Sequence, residues 1–164
     1  MKDLVIGILN DAKEQIQLQM DVENINASKR TSDSLRVEER GESVVLKIGG
    51  ENTAPLATLE IGREGGKVPY KFSDIIAQWI IDKGISVVQI PYKREPSANW
   101  QPKYTVEERS LKMAAGAISH KIKEVGTRRH LEQRNDIYSN VVEATKLRLQ
   151  KEITNYIANF VKTN

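Results

Sequence analysis

The chain contains no cysteine, so it has neither a disulfide framework nor a thiolate metal site. Histidine is almost as scarce: His120 and His130, ten positions apart, are a poor start on a zinc site. Aromatic residues make up 5% of the chain, and charge of one sign is lacking, with 25 Lys and Arg against 22 Asp and Glu. A net charge of +3 is too small to argue for a dedicated nucleic-acid binder, which leaves that question to local clustering. No apolar run approaches the roughly 20 residues that span a bilayer. The opening MKDLVIGILND has an apolar region too short and too soon interrupted for export. A soluble chain made in the cytoplasm, with no membrane contact, is therefore expected. At 164 residues and 39% apolar content, one domain with one core is expected over residues 1–164.

Residues 1–27 read as an N-terminal helix. Val5, Leu9, Ala12, Ile16 and Met20 recur at spacings of three and four, Ile8 adjoins that stripe, and Leu18 is an apolar exception on the polar side. Residues 28–104 then carry a small sheet, a glycine loop, a short helix and a long proline-rich loop. Leu35 and Val37, followed by SVVLKIG at 43–49, read as a β-hairpin around Arg40, Gly41 and Glu42. APLATLEIG at 54–62 is short enough to be a strand or a turn of helix, and Pro55 excludes a central strand beginning before it.

Ser73 suits the cap of a helix through Ile76, Trp79 and Ile80 that ends at Gly84. Pro91, Pro96 and Pro102 make the following stretch a long exposed loop, with 86–90 open to a strand reading. Residues 105–164 read as the C-terminal helices. TVEE at 105–108 is a capping box that starts one of them, and Gly126 stops it. After the basic loop TRRHLEQRN, Asp136 suits the cap of a last helix with a bend or break near Leu149 to Glu152.

The motifs that carry chemistry are thin. GREGGKVPYKF follows Lys67 with Val68 and Pro69, where a phosphate-binding loop needs a hydroxyl residue and a helix. His120 reads as a helix-surface residue and His130 as a member of a basic loop. Glu107, Glu108 and Asp136 read as helix-start carboxylates. No cofactor, no metal and no enzymatic activity are expected. Residues 109–134 hold seven basic and two acidic side chains, a stretch suited to DNA phosphates or to an acidic protein surface.

The order of the pieces says more than any one. Thr31, Ser34 and Leu35 precede the hairpin; Ala54, Pro55, Glu60, Ile61 and Gly62 follow it; then come Ile76, Trp79, Lys83, Gly84 and Ile85, and later Ala117, Ile118, Ile122, Glu124, Gly126 and Thr127. This series, over residues 26–157, resembles the neck and tail-completion proteins of tailed bacteriophages, the small minor tail or head-tail connector proteins that form rings between portal and tail tube. The chain departs from their pattern in lacking a proline soon after the Gly-Thr turn and in the length of its insertion at 91–102.

The fold expected is α+β, a small antiparallel sheet packed against three or four helices. The resemblance implies a structural virion protein, assembled in the host cytoplasm into a homo-oligomeric ring, six copies being the expected number. Its partners would be portal or adaptor and tail-tube or terminator proteins, with non-specific DNA contact in a central channel. Glu60, Gly62, Arg63, Tyr70, Phe72, Tyr92 and Trp100 are the candidate interface, the glycine loop lying at a sheet edge against the next subunit. Arg128, Arg129 and His130 are the candidate contact for DNA or a partner. The alternative is a free basic nucleic-acid-binding or regulatory protein.

Overall fold

A computed structural model of the chain describes residues 1–49, 56–94, 96–97 and 99–163, with residues 56 and 57 described by backbone alone. Ala54 and Pro55 of the family-like phrase lie outside the described residues. The fold is α+β: one two-stranded antiparallel sheet and, among the described residues, four long and three short helices. The chain divides into two compact units, Met1–Gly62 with Glu132–Asn164, and Arg63–Leu131. Each has its own hydrophobic cluster, where the sequence suggested a single core.

In the first unit, α1 (Lys2–Val22) buries Ile8, Ala12, Ile16 and Met20, while Leu18 is exposed as its position on the polar side requires. The helix stops at Asn24, whose φ of 52° is the left-handed conformation that a helix end uses. There Asn24 N–H donates to Asp21 O and Ile25 N–H donates to Met20 O. Helix α2 (Arg30–Asp33) fills the Ser/Thr/Asn-rich break, and Gln17 of α1 holds it through the Ser32 carbonyl at 3.0 Å. The hairpin is β1 (Arg36–Arg40) with β2 (Ser43–Lys47), in a register that pairs Arg36 with Lys47 and Arg40 with Ser43.

Arg40 therefore belongs to the strand, and the loop is two residues long, opened by Gly41 at φ 61°, a sign that disfavours residues with a Cβ. On the solvent side, Arg36 and then Arg40 hydrogen-bond to the Glu38 carboxylate and hold its pKa down to about 2. APLATLEIG resolves as helix α3 (Leu56–Ile61) and not as a strand. The last helix of the chain is α7 (Ser139–Thr163), which runs without interruption through the expected break at Leu149 to Glu152. Gln150, Lys151 and Glu152 are all good helix formers, so nothing local opposes continuity. Ala12, Ile16, Met20, Leu35, Ile137 and Val141 pack together as this unit's core, with Leu46 and Leu59 against them.

In the second unit, α4 (Phe72–Asp82) packs on α5 (Val106–Val125) through Ile76, Ile80 and Ala115. Ser73 does not cap α4: the residue before the helix is Lys71, at φ 55°, and it makes no side-chain cap bond. The C-terminal expectation holds, since Gly84 (φ 63°) donates to Ile81 O while Ile85 N–H reaches back to Ile80 O. At the start of α5 the capping box is present in full. Glu108 N–H donates to Thr105 Oγ1 at 3.1 Å, and Thr105 N–H donates to Glu108 Oε2 at 2.9 Å. Residues 85–90 form neither helix nor strand, and the basic stretch after Gly126 contains one further turn, α6 (Arg128–Leu131).

Candidate interface

Glu60 sits on the last turn of α3, which Leu59 anchors to the core and Gly62 ends at φ 77°, its N–H donating to Thr58 O. Its side chain is buried, at 2% exposure. Oε2 accepts from the amides of Ile137 (3.1 Å) and Tyr138 (2.9 Å), and Oε1 accepts from Ser139 at 3.1 Å. Ser139 opens α7 and Ile137 and Tyr138 lead into it, where no preceding turn of helix satisfies the amides. A carboxylate there also lies at the positive end of the helix dipole.

A cap at the start of α7 thus comes from Glu60, while the Asp136 carboxylate, the candidate offered by the sequence, is paired with Arg134 at 2.6 Å. Burial, and behind it the Glu60 charge, push the neighbouring Tyr138 phenol above its ordinary pKa. Glu60 leaves the surface set proposed from sequence: it fixes where α7 begins and contributes nothing to an outer face.

The glycine loop also has an internal role. Arg63 N–H donates to Thr127 Oγ1 at 2.8 Å, and Thr127 N–H returns a bond to Arg63 O at 2.8 Å. Gly66 N–H donates to Lys123 O at 2.6 Å, satisfying a carbonyl at the end of α5. A Cβ on Gly65 would stand 2.8 Å from Glu124 O, and one on Gly126 only 2.5 Å from Arg63 O, so both backbones meet where a side chain has no room. The loop closes the C-terminal end of a helix. These bonds tie the loop to α5 and the Gly-Thr turn of its own unit, where the sequence reading gave it a place at a sheet edge.

Of the other interface candidates, Tyr70 is displayed at 89% exposure, whereas Phe72 packs against the α4–α5 core beneath the Arg63 guanidinium, 5.6 Å from its ring centre. Tyr92 and Trp100 meet edge to face at 5.6 Å. Arg109 lies 4.7 Å over the Tyr92 ring and Arg94 lies 5.7 Å over Trp100. The Tyr92 hydroxyl donates to Tyr104 O, and Ser97 and Trp100 exchange backbone bonds. The proline-rich segment is therefore a folded knot pinned to the start of α5, and its aromatic rings face one another.

The basic stretch spans both units. Arg134 belongs to the first unit, where Glu23 and Asp136 hold it, and Arg128, Arg129 and His130 belong to the second. Arg128 is exposed on α6, Arg129 and His130 are half-buried, and both arginines have interactions of their own. Arg109 donates to the carbonyls of Ile90 and Pro91, and Lys112 lies over the Tyr104 ring. Lys121 projects from a different face of α5 from Lys112 and Lys123, by the helix's 3.6-residue turn. His120 is exposed and pairs with Glu124 at 3.5 Å.

The surface that sequence reasoning missed is apolar. The first unit bears an open groove of about 620 Å³ walled by α1, β2 and α7, with Leu9, Ile16, Leu46, Leu149 and Ile153 among its lining and Lys146 as the one charge among the described residues that line it. Beyond it Tyr156, Ile157, Phe160 and Val161 stand 43–69% exposed on the last turns of α7. The signal was present as a run without charge, ITNYIANFV at 153–161, in a chain where 29% of residues are charged. Among the described residues no helix is long and apolar enough to cross a membrane. No family model matches the chain, and neither a curated protein nor a solved structure shows significant similarity to it.

Proposed function

We propose that this protein is a structural subunit of a phage neck or tail-completion ring, joining head to tail through surfaces it presents to its own copies and to adjoining rings. The observation that carries the reading is the ordered series of sequence phrases, from Thr31 to Thr127, that resembles the neck proteins. Two features of the fold support it. The Glu-Ile-Gly phrase and the Gly-Thr turn have architectural work: one sets the start of α7 and the other receives the glycine loop. A contiguous set of apolar side chains also lies uncovered along α7, as in a chain that buries surface on assembly.

Ring subunits joined head to tail present two different complementary patches, and closure of the rotation sets their number. Negative-stain imaging of the purified chain, alone and with portal or tail protein, tests the reading. Closed rings are expected. The alternative of a free nucleic-acid-binding protein draws on the exposed Lys121, Lys123 and Arg128 of the second unit. A monomer that binds duplex DNA with a steep salt dependence, and never forms rings, would favour it and overturn the neck reading.

A further inference from the structure

One face of α7 carries a regularity that its burial does not explain. Val142, Lys146, Leu149, Ile153, Tyr156 and Phe160 follow one another at spacings of four, three, four, three and four. That is the heptad seam by which one helix packs into another. On α1, Val5, Leu9, Ala12 and Ile16 repeat the same spacing. The two helices run in opposite directions: Arg148, well into α7, pairs with Asp11 at 2.7 Å, while Ile137, just before α7, shares a buried cluster with Met20 near the end of α1. Where they meet Leu46, their seams open into the groove and leave room for several large apolar side chains.

We infer that the last turns of α7 in one copy, Tyr156 to Val161, which lie beyond the groove of their own chain, enter the groove of the next, completing a packing of three helices. The inference rests on the ring reading above for its head-to-tail sense and adds to it the contact that joins neighbours. A second copy is the occupant because the same chain supplies both halves of the match. Residues 153–161 carry no charge, and the described residues that line the groove carry one. A charged amphipathic partner helix would set its charges against walls that cannot answer them. The end of α7 would otherwise leave Phe160 62% and Val161 69% exposed.

The exposed areas set the size of one such contact. With roughly 150–250 Å² for a fully buried aromatic, the exposed fractions at Tyr156, Ile157, Phe160 and Val161 amount to on the order of 400 Å². Each subunit gives one such helix end to one neighbour and receives another from the other, so a single junction buries on the order of 400 Å² on the donated side, at the small end of specific interfaces, and every subunit takes part in two.

The test uses the full chain and two variants at exposed positions, Phe160→Glu on the donated helix and Val142→Glu on the groove wall, each checked for wild-type circular dichroism. Light scattering after size exclusion should show the wild type as a multimer and each variant alone as a monomer. An equimolar mixture of the two should yield a species of two chains, because one sound helix end then meets one sound groove. Hydrogen exchange of the wild type, which needs no substitution, should show residues 153–161 becoming protected as concentration rises.

A wild-type ring that survives in both variants, with 153–161 unprotected, overturns the contact while the neck reading stands. A two-chain wild type abolished by Phe160→Glu supports the contact and counts against the ring. A wild type that is monomeric at every concentration overturns the contact.

Discussion

Replacing Glu60 by alanine should unfold much of the first unit's stability at one stroke. The carboxylate receives three amide donors at 2.9–3.1 Å. A hydrogen bond to a charged acceptor is worth about 1.5–3 kcal/mol net. The three are not independent, since they share one group, and Tyr138 and Ser139 are only partly buried, so water can satisfy their amides in part. Ile137, at 1% exposure, has no such recourse. A loss of about 3–5 kcal/mol is expected, against a total of about 5–15 for a domain.

Both tryptophans, Trp79 and Trp100, lie in the second unit, so fluorescence does not report directly on the first. Urea unfolding followed by circular dichroism, together with hydrogen exchange at amides 137–139, reads the change where it occurs. Glu60→Gln keeps the size and one carbonyl acceptor but loses the charge, and should fall between wild type and alanine. A loss below about 1 kcal/mol for Glu60→Ala, with those three amides still protected, would refute the claim that this carboxylate starts α7.

Three other predictions follow from local geometry. Gly126→Ala places a Cβ against Arg63 O at a φ of 86°, and should cost about 2–4 kcal/mol with loss of protection at Gly66 and Thr127. Gly7→Ala, in α1 with open space around it, should instead gain about 0.5–1 kcal/mol; equal denaturation midpoints for the two would contradict the packing described. The Tyr138 phenol holds its proton more tightly folded than unfolded. Its contribution is therefore present below the ordinary phenol pKa and lost as pH rises through the folded value. Ring-carbon NMR of Glu60→Gln should show Tyr138 titrating lower than in wild type yet still above the ordinary range, because burial is the larger cause; an unchanged midpoint would show that the Glu60 charge does not act on it.

The elements legible in the sequence were those whose determinants lie close together. Thr105 and Glu108 are three residues apart, and Gly84 follows its helix directly, so the capping box and the end of α4 could be read from short phrases. The hairpin needed only alternation and a glycine. The cap of α7 was out of reach because Glu60 precedes it by 77 residues, while Asp136 offered a closer candidate of the right type.

The same limit hid the role of the glycine loop: composition showed turn-formers, but its partners Lys123 and Thr127 are brought to it only by the fold. Basic residues adjacent in sequence seemed one patch until helix rotation and aromatic rings divided those of the second unit. The heptad seam on α7 escaped because Lys146 interrupts it and a broader stripe through Val141, Ala144 and Leu147 competes with it.

The claim on which the account turns is that this chain works by meeting copies of itself. Sedimentation velocity of the wild-type protein over a wide concentration range measures that directly. A single closed oligomer of several 18.5 kDa chains, with no progression to larger species, is the predicted result. A lone 18.5 kDa species throughout the range would contradict it.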